Sequence, residues 1–129
     1  MNVEMEGKVY PDVPFEVDPV RVQAFREIFD LGVGVPPTFI TVAEFAAYPQ
    51  VIDDPELGLD FSHVVHGSQE YAFTRPLREG ETLVGRTRLE SIKVMGRTGF
   101  LTVVMDFRDG AGDVVVTARS TMIERGSEA

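Results

Sequence analysis

An α+β fold, an antiparallel sheet wrapped around one buried helix, is predicted by three features of the chain. The segment "PPTFITVAEFAAY" has helical composition and is apolar almost all round, as a core helix is. From Gly67 onward the hydrophobic period changes to two, the signature of strands. Clusters of turn formers, "RPLREGE", "MGRTG" and "DGAGD", then divide that tract into successive antiparallel strands. At 129 residues the chain is one domain's worth, spanning 1–129, and can bury a core without cross-links.

Taken in order, an N-terminal extended piece leads to "EVDPVRVQAFREIFDLG". There Asp18 can cap a helix, Pro19 suits its first turn, and Val20, Val22, Phe25, Ile28 and Phe29 form an apolar face. Gly32 and Gly34 stop it. Pro36 and Pro37 fix the entry to the second, buried helix, and Pro49 is expected to end it. The following "PQVIDDPELGLDFS" is acidic and rich in turn formers; it reads as too polar for core, a lid or an edge flap. In the first strand Gln69, Tyr71 and Phe73 share a face. The strand "TLVGRTRLESIKV" changes apolar phase between Leu89 and Ile92, which predicts a bulge. Leu101, Val103, Met105 and Phe107 line one face of the next strand, and Val114, Val116, Ala118 and Met122 one face of the last. Read as a meander around one helix, this is the hot-dog architecture, whose wide sheet usually gains a second subunit at its edge.

Composition narrows the function classes. The net charge of -9 argues against nucleic acid and anionic membrane as general partners, because phosphate binding needs a basic footprint. The charge is uneven: nine of the twelve Lys and Arg lie from Arg75 onward, so a local basic face is compatible with an acidic total. With no cysteine there is no disulfide, thiolate ligand or thiol nucleophile, and a cytoplasmic location is the default. No basic leader or membrane-length apolar run is seen, which reads as soluble and unexported.

"VPPTF" at the head of the buried helix, "VVHGSQEYAFTRPLREGETL" and "VVVTARSTMIERG" together resemble the N-terminal-type dehydratase domain of the MaoC-like hot-dog superfamily. The likeness extends over nearly the whole chain. It resembles subunits of mycobacterial (3R)-hydroxyacyl-ACP dehydratases and related fatty-acid-synthase-type dehydratases, and His-Gly-x-Gln with Arg-Pro-x-Arg-x-Gly-Glu is its most specific part. The resemblance implies a fold that hydrates trans-2-enoyl thioesters or catalyses the reverse. In that superfamily an Asp-x-Asn-Pro-x-His loop holds and deprotonates the water and protonates the α-carbon. Here Asp30 is a weak candidate for the acid, but Gly32 and Val33 replace Asn and Pro, and Val35 occupies the histidine's place. The resemblance therefore implies a member without the dyad: a substrate-binding partner of a catalytic hot-dog subunit, or a homodimer. No cofactor is expected beyond the CoA or acyl-carrier pantetheine that belongs to the substrate.

The substrate-binding candidates are Thr38 and Phe39, whose amides at a helix N-terminus can polarise a thioester carbonyl, and Tyr71 and Phe73, which can line an acyl tunnel. Arg86 and Arg88 share a strand face and are placed to meet phosphates or an acidic carrier, within a wider set of Arg75, Arg78, Lys93 and Arg97. Catalytic candidates are weaker. The chain's two histidines fall in "HVVHGSQ". His63 reads as a surface-loop residue; His66 reads first as a buried histidine bonded to backbone and second as a site-lining residue. Nothing in this heptapeptide has metal-ligand spacing. Glu44 lies on a polar stripe with Thr41 and Tyr48. Either it is solvated at the helix edge or it faces the crevice, where beside His66 it would resemble the carboxylate of hot-dog thioesterases. The alternatives are thus a thioesterase using Glu44 and an acyl-binding module without turnover.

Overall fold

In the computed structural model, residues 1–29 and 34–126 are described. Asp18 begins the first helix as expected, its Oδ1 accepting the Val20 N–H at 3.1 Å before α1 (Pro19–Phe29). The predicted apolar face is not the buried one. Val22 is fully enclosed and Phe25 partly so, while Val20, Ile28 and Phe29 stay exposed.

Pro36 and Pro37 lead into a 3-10 turn, Pro37–Phe39, and then α2 (Ile40–Ala47). The helix buries one stripe, Ile40, Ala43, Glu44 and Ala47, at helical spacing against the sheet. Burial all round does not hold for the single chain, since Phe45 is 72% exposed. Pro49 ends α2 as expected, directly after its C-cap Tyr48. It opens a further turn, α3 (Pro49–Ile52), at a position where the missing N–H has no helical partner to lose. The acidic segment after it supplies core, contrary to its polar composition: Val51 and Leu57 are fully buried and Leu59 nearly so. Its acids turn outward, apart from Asp54, which sits at 9% exposure against Lys8 (2.7 Å) and the Tyr10 hydroxyl (2.7 Å). Burial pushes that carboxyl up, but hydrogen bonds from Lys8, Tyr10 and the Glu56 N–H outweigh it and hold the group at about 2.

The sheet has five antiparallel strands: β1 (Val13–Glu16), β2 (Val64–Phe73), β3 (Thr82–Met95), β4 (Thr98–Arg108) and β5 (Val114–Glu124). Their order is β1-β3-β4-β5-β2. β3, β4 and β5 form the expected meander, with the bulge between Leu89 and Ser91. β2 is not the meander's first member; it crosses to the far edge and pairs with β5, and it begins at Val64 rather than Gly67. "RPLREGE" is therefore a crossover. The Glu81 carboxylate pins it by accepting from Arg75 at 2.6 and 3.0 Å and from the Arg78 N–H at 2.6 Å.

The predicted apolar faces supply the core through Leu101, Val103, Met105 and Phe107 of β4 and Val116, Ala118 and Met122 of β5, but Val114 pairs with Arg108 beyond a register shift and is only half-buried, Val115 being buried instead. The two edges differ. The outer side of β3 is covered by β1 and by residues 7–10, whose backbone bonds to Leu89 and Thr87 continue the ladder (Gly7 N–H to Leu89 O, 2.7 Å). β2 ends the sheet on the other side, ten residues long and mostly exposed.

Candidate functional site

Gly67 organises the polar end of the site. In a regular strand residues 66 and 69 face opposite sides. The register of β2 against β5 shifts between His66 and Ser68, so His66 pairs with Met122 and Gln69 with Ser120, both core-facing positions. A side chain at Gly67 would stand 3.0 Å from Ile123 Cδ1 and 3.3 Å from the Thr121 carbonyl, which is why the bulge carries glycine. The displaced phase puts both side chains of His-Gly-x-Gln on the helix side. Isolated glycine in a strand pattern signals a bulge, and that signal is present in the sequence.

Opposite them, Glu44 projects from α2 at 3% exposure. Its Oε2 accepts from Gln69 Nε2 at 3.1 Å and from the Tyr48 hydroxyl at 3.2 Å, and its Oε1 accepts from the Tyr71 hydroxyl. Ser120 Oγ lies 3.0 Å from the Tyr48 oxygen and His66 Nε2 3.1 Å from Gln69 Oε1, extending the network in two directions. Burial, with the Glu44 charge beside it, pushes the Tyr48 phenol up to about 12 and raises Tyr71 as well, so both stay protonated donors. Glu44 is thus neither at a solvated edge nor open to a substrate.

His66 is exposed and bonded to a side chain, not buried and bonded to backbone, because the bulge turns its ring toward the end of α2. With Phe45, Tyr48, Pro49, Ile52, Phe61 and Met122 it lines a cavity of about 320 Å³ that is apolar apart from the His66 ring and the Tyr48 hydroxyl. His63 lies outside this hollow, in the 3-10 turn Phe61–His63, and its Nδ1 meets Asp60 Oδ2 at 2.6 Å. Among the described residues, no group of three or more histidines and carboxylates is arranged to hold a metal ion.

The other candidates are dispersed. Thr38 lines a separate hollow of about 460 Å³ with Phe25, Phe29 and Thr41. Phe39 is a core residue, its ring buried and its N–H given to the Pro36 carbonyl at 2.9 Å, so its amide has no capacity left for a ligand. Tyr71 and Phe73 do share the helix-facing side of β2, with rings 6.4 Å apart, but they pack on the core and do not line the cavity. Arg86 and Arg88 share a face of β3, the face opposite to buried Thr87 and Leu89 and so away from α2. Asp12 holds Arg86 by two bonds of 2.9 and 3.2 Å, and Glu90 lies 3.7 Å from Arg88 while clasping Arg119. Arg88 and Arg119 flank the fully buried Val104 in register. Asp30 lies outside the described residues.

Comparison with known proteins places the chain's family and fold. Residues 14–118 match the model of the "FAS1-like, dehydratase domain region". A Streptomyces avermitilis protein carrying the name UPF0336 is 37% identical over 140 residues, covering 95% of this chain and 93% of its own length. Its Streptomyces coelicolor counterpart is 35% identical over 146 residues, covering 99% and 97%. Among solved structures, the HadBC (3R-hydroxyacyl-ACP dehydratase) complex of Mycobacterium tuberculosis superposes with a TM-score of 0.78 at 17% identity, over 92% of this chain and 96% of that one. A MaoC-like dehydratase gives 0.79 at 23%, covering 95% of this chain and 43% of that longer one. These structural likenesses bear on the fold, and the fold is the hot-dog. No helix among the described residues is long and apolar enough to cross a membrane. With its family model matched from the first strand into the last, the chain belongs to the FAS1-like dehydratase-region family of hot-dog proteins.

Proposed function

We propose that this chain is an acyl-thioester-binding subunit of the (R)-specific hydratase and 3-hydroxyacyl dehydratase type, one that does not itself carry the water-activating pair. The observation that carries this reading is the apolar cavity between α2, α3 and the β2–β5 edge, next to a helix whose carboxylate is consumed by internal donors. An acyl chain is matched to the cavity walls by hydrophobic burial. The polar His66 end suits the amide or thioester end of a pantetheine arm, from CoA or from an acyl carrier protein. Val35 at the histidine position of the superfamily loop leaves the proton transfers to another subunit. The open β2 edge and exposed Phe45 give a second hot-dog chain, identical or catalytic, a surface to cover.

Calorimetric titration with a series of acyl-CoA thioesters tests the binding claim. Affinity should rise with acyl length until the cavity is filled and fall at least about tenfold in Ile52→Trp, which fills it. Equal affinity for CoA and acyl-CoA would contradict it. Light scattering at micromolar concentration should show a dimer.

The thioesterase reading keeps one observation in its favour: Glu44 bonds to Tyr48, a wall residue of the cavity. It requires free thiol to be released from acyl-CoA, and Glu44→Gln to reduce that release by orders of magnitude in a folded protein.

A further inference from the structure

The buried network reaches the cavity lining through Gln69 and His66. A carboxylate accepts hydrogen bonds and cannot donate them. Gln69 must therefore turn its amide NH2 to Glu44, which leaves its Oε1 toward His66. An amide oxygen accepts only, so the His66 nitrogen 3.1 Å away, Nε2, must carry a proton. In the neutral ring this leaves Nδ1 with a lone pair, and among the described residues Nδ1 has no hydrogen-bond partner. The order of donors follows from the carboxylate form of Glu44, which accepts from Gln69, Tyr48 and Tyr71.

We propose that Glu44 is a positioning residue: acting through Gln69, it fixes His66 with Nε2 protonated and offers Nδ1 at the cavity as the acceptor for a hydrogen-bond donor of the bound thioester. The ligand part rests on the thioester-binding reading above; the tautomer part does not. The donor is an N–H or O–H close to the apolar portion of the ligand, supplied by a pantetheine amide or by a hydroxyl on the acyl chain. This explains why a polar network is kept beneath an apolar pocket. It also gives each named member of His-Gly-x-Gln a part in binding. The ring presents the acceptor, glycine makes the bulge, and glutamine transmits the orientation.

Because the chain has only two histidines, long-range proton–nitrogen correlation spectra report each ring separately. In alkaline buffer, where an ordinary imidazole is neutral, the ligand-free protein should show His66 as the Nε2–H tautomer alone. Gln69→Leu, which removes one donor from Glu44 and nearly keeps the side-chain volume, should give a mixture of tautomers. Glu44→Gln lets the Gln69 amide turn over and should increase the Nδ1–H form. A wild-type His66 in the Nδ1–H form, or a tautomer unchanged in Gln69→Leu, would overturn the positioning role. Butyryl-CoA and 3-hydroxybutyryl-CoA then separate the donors. A Nδ1 resonance moved by both supports the pantetheine amide, and one moved by the second alone supports the hydroxyl. Thioester binding that leaves Nδ1 unmoved would overturn the acceptor role. If neither thioester binds, the binding reading fails, while the ligand-free spectra still decide the part played by Glu44.

Discussion

Tyr71→Phe removes one donor from the buried Glu44 carboxylate and leaves the ring where it is. Hydrogen bonds to charged groups are worth about 1.5–3 kcal/mol. Tyr71 is only partly buried, but Glu44 is 3% exposed, and after the change Tyr48 and Gln69 still satisfy part of its capacity. These considerations place the loss near the middle of that range, about 2 kcal/mol. With an unfolding entropy of about 2.1 cal/mol/K per residue over 129 residues, the melting temperature should fall by about 7 °C. Chemical denaturation with a constant m-value, followed by circular dichroism, measures the change. In a double-mutant cycle with Glu44→Gln the effects should be non-additive, since the weakened acceptor makes the missing hydroxyl matter less. A Tyr71→Phe protein within about 0.5 kcal/mol of wild type, or strict additivity in the cycle, would refute the claim that Glu44 is the shared acceptor of the network.

Three further outcomes are expected. Asp54 is held at about 2 when folded, below its ordinary value of 3.8, so its contribution is present above pH 4 and lost as pH falls toward 2. Allowing for screening by nearby solvent this is about 1–2 kcal/mol, and Asp54→Asn should flatten the acid limb of the stability curve. At the alkaline end all three tyrosines are raised, with Tyr48 at about 12, so their contribution is full below the ordinary phenol value and is lost as pH climbs from there through the raised values. Phenolate absorbance should therefore appear together with unfolding in one step, and a separate earlier phenolate phase would contradict this. Finally, Arg86→Glu with Arg88→Glu should change thioester affinity by less than about threefold, as expected for paired, exposed charges on the face away from the cavity; a loss above about tenfold would place the ligand's phosphates on that face.

How far the sequence reaches can be traced residue by residue. The meander β3–β5 is legible because each strand has a wet outer face, and the Leu89-to-Ile92 phase slip is visible in the letters. The place of β2 is not, because period-two patterning shows a strand but not its neighbour. Only the register with β5 shows that "RPLREGE" crosses the sheet and why Arg75 and Glu81 are joined. The core role of Val51 and Leu57 is hidden by the acids around them, which face solvent or Lys8. For the site, Glu44 and Tyr48 are recognisable as one helical stripe. Their union with Gln69, Ser120 and Tyr71 depends on pairings more than twenty residues apart. His66 is misplaced when strand alternation is carried straight through Gly67, where the bulge resets it. The arginines are visible as a basic run, but the carboxylates that neutralise Arg86 and Arg119 reach them from a distant segment and from another strand.

The most direct test of a binding subunit without its own water-activating pair is hydration of crotonyl-CoA by three samples. These are the purified chain, a hot-dog subunit bearing Asp-x-Asn-Pro-x-His that copurifies with it, and the two together. The chain alone should give no rate above buffer, and the pair should hydrate longer enoyl-CoA substrates better than the catalytic subunit does alone, an advantage lost in Ile52→Trp. Robust hydration by the isolated chain, abolished by Asp30→Asn, would contradict the account.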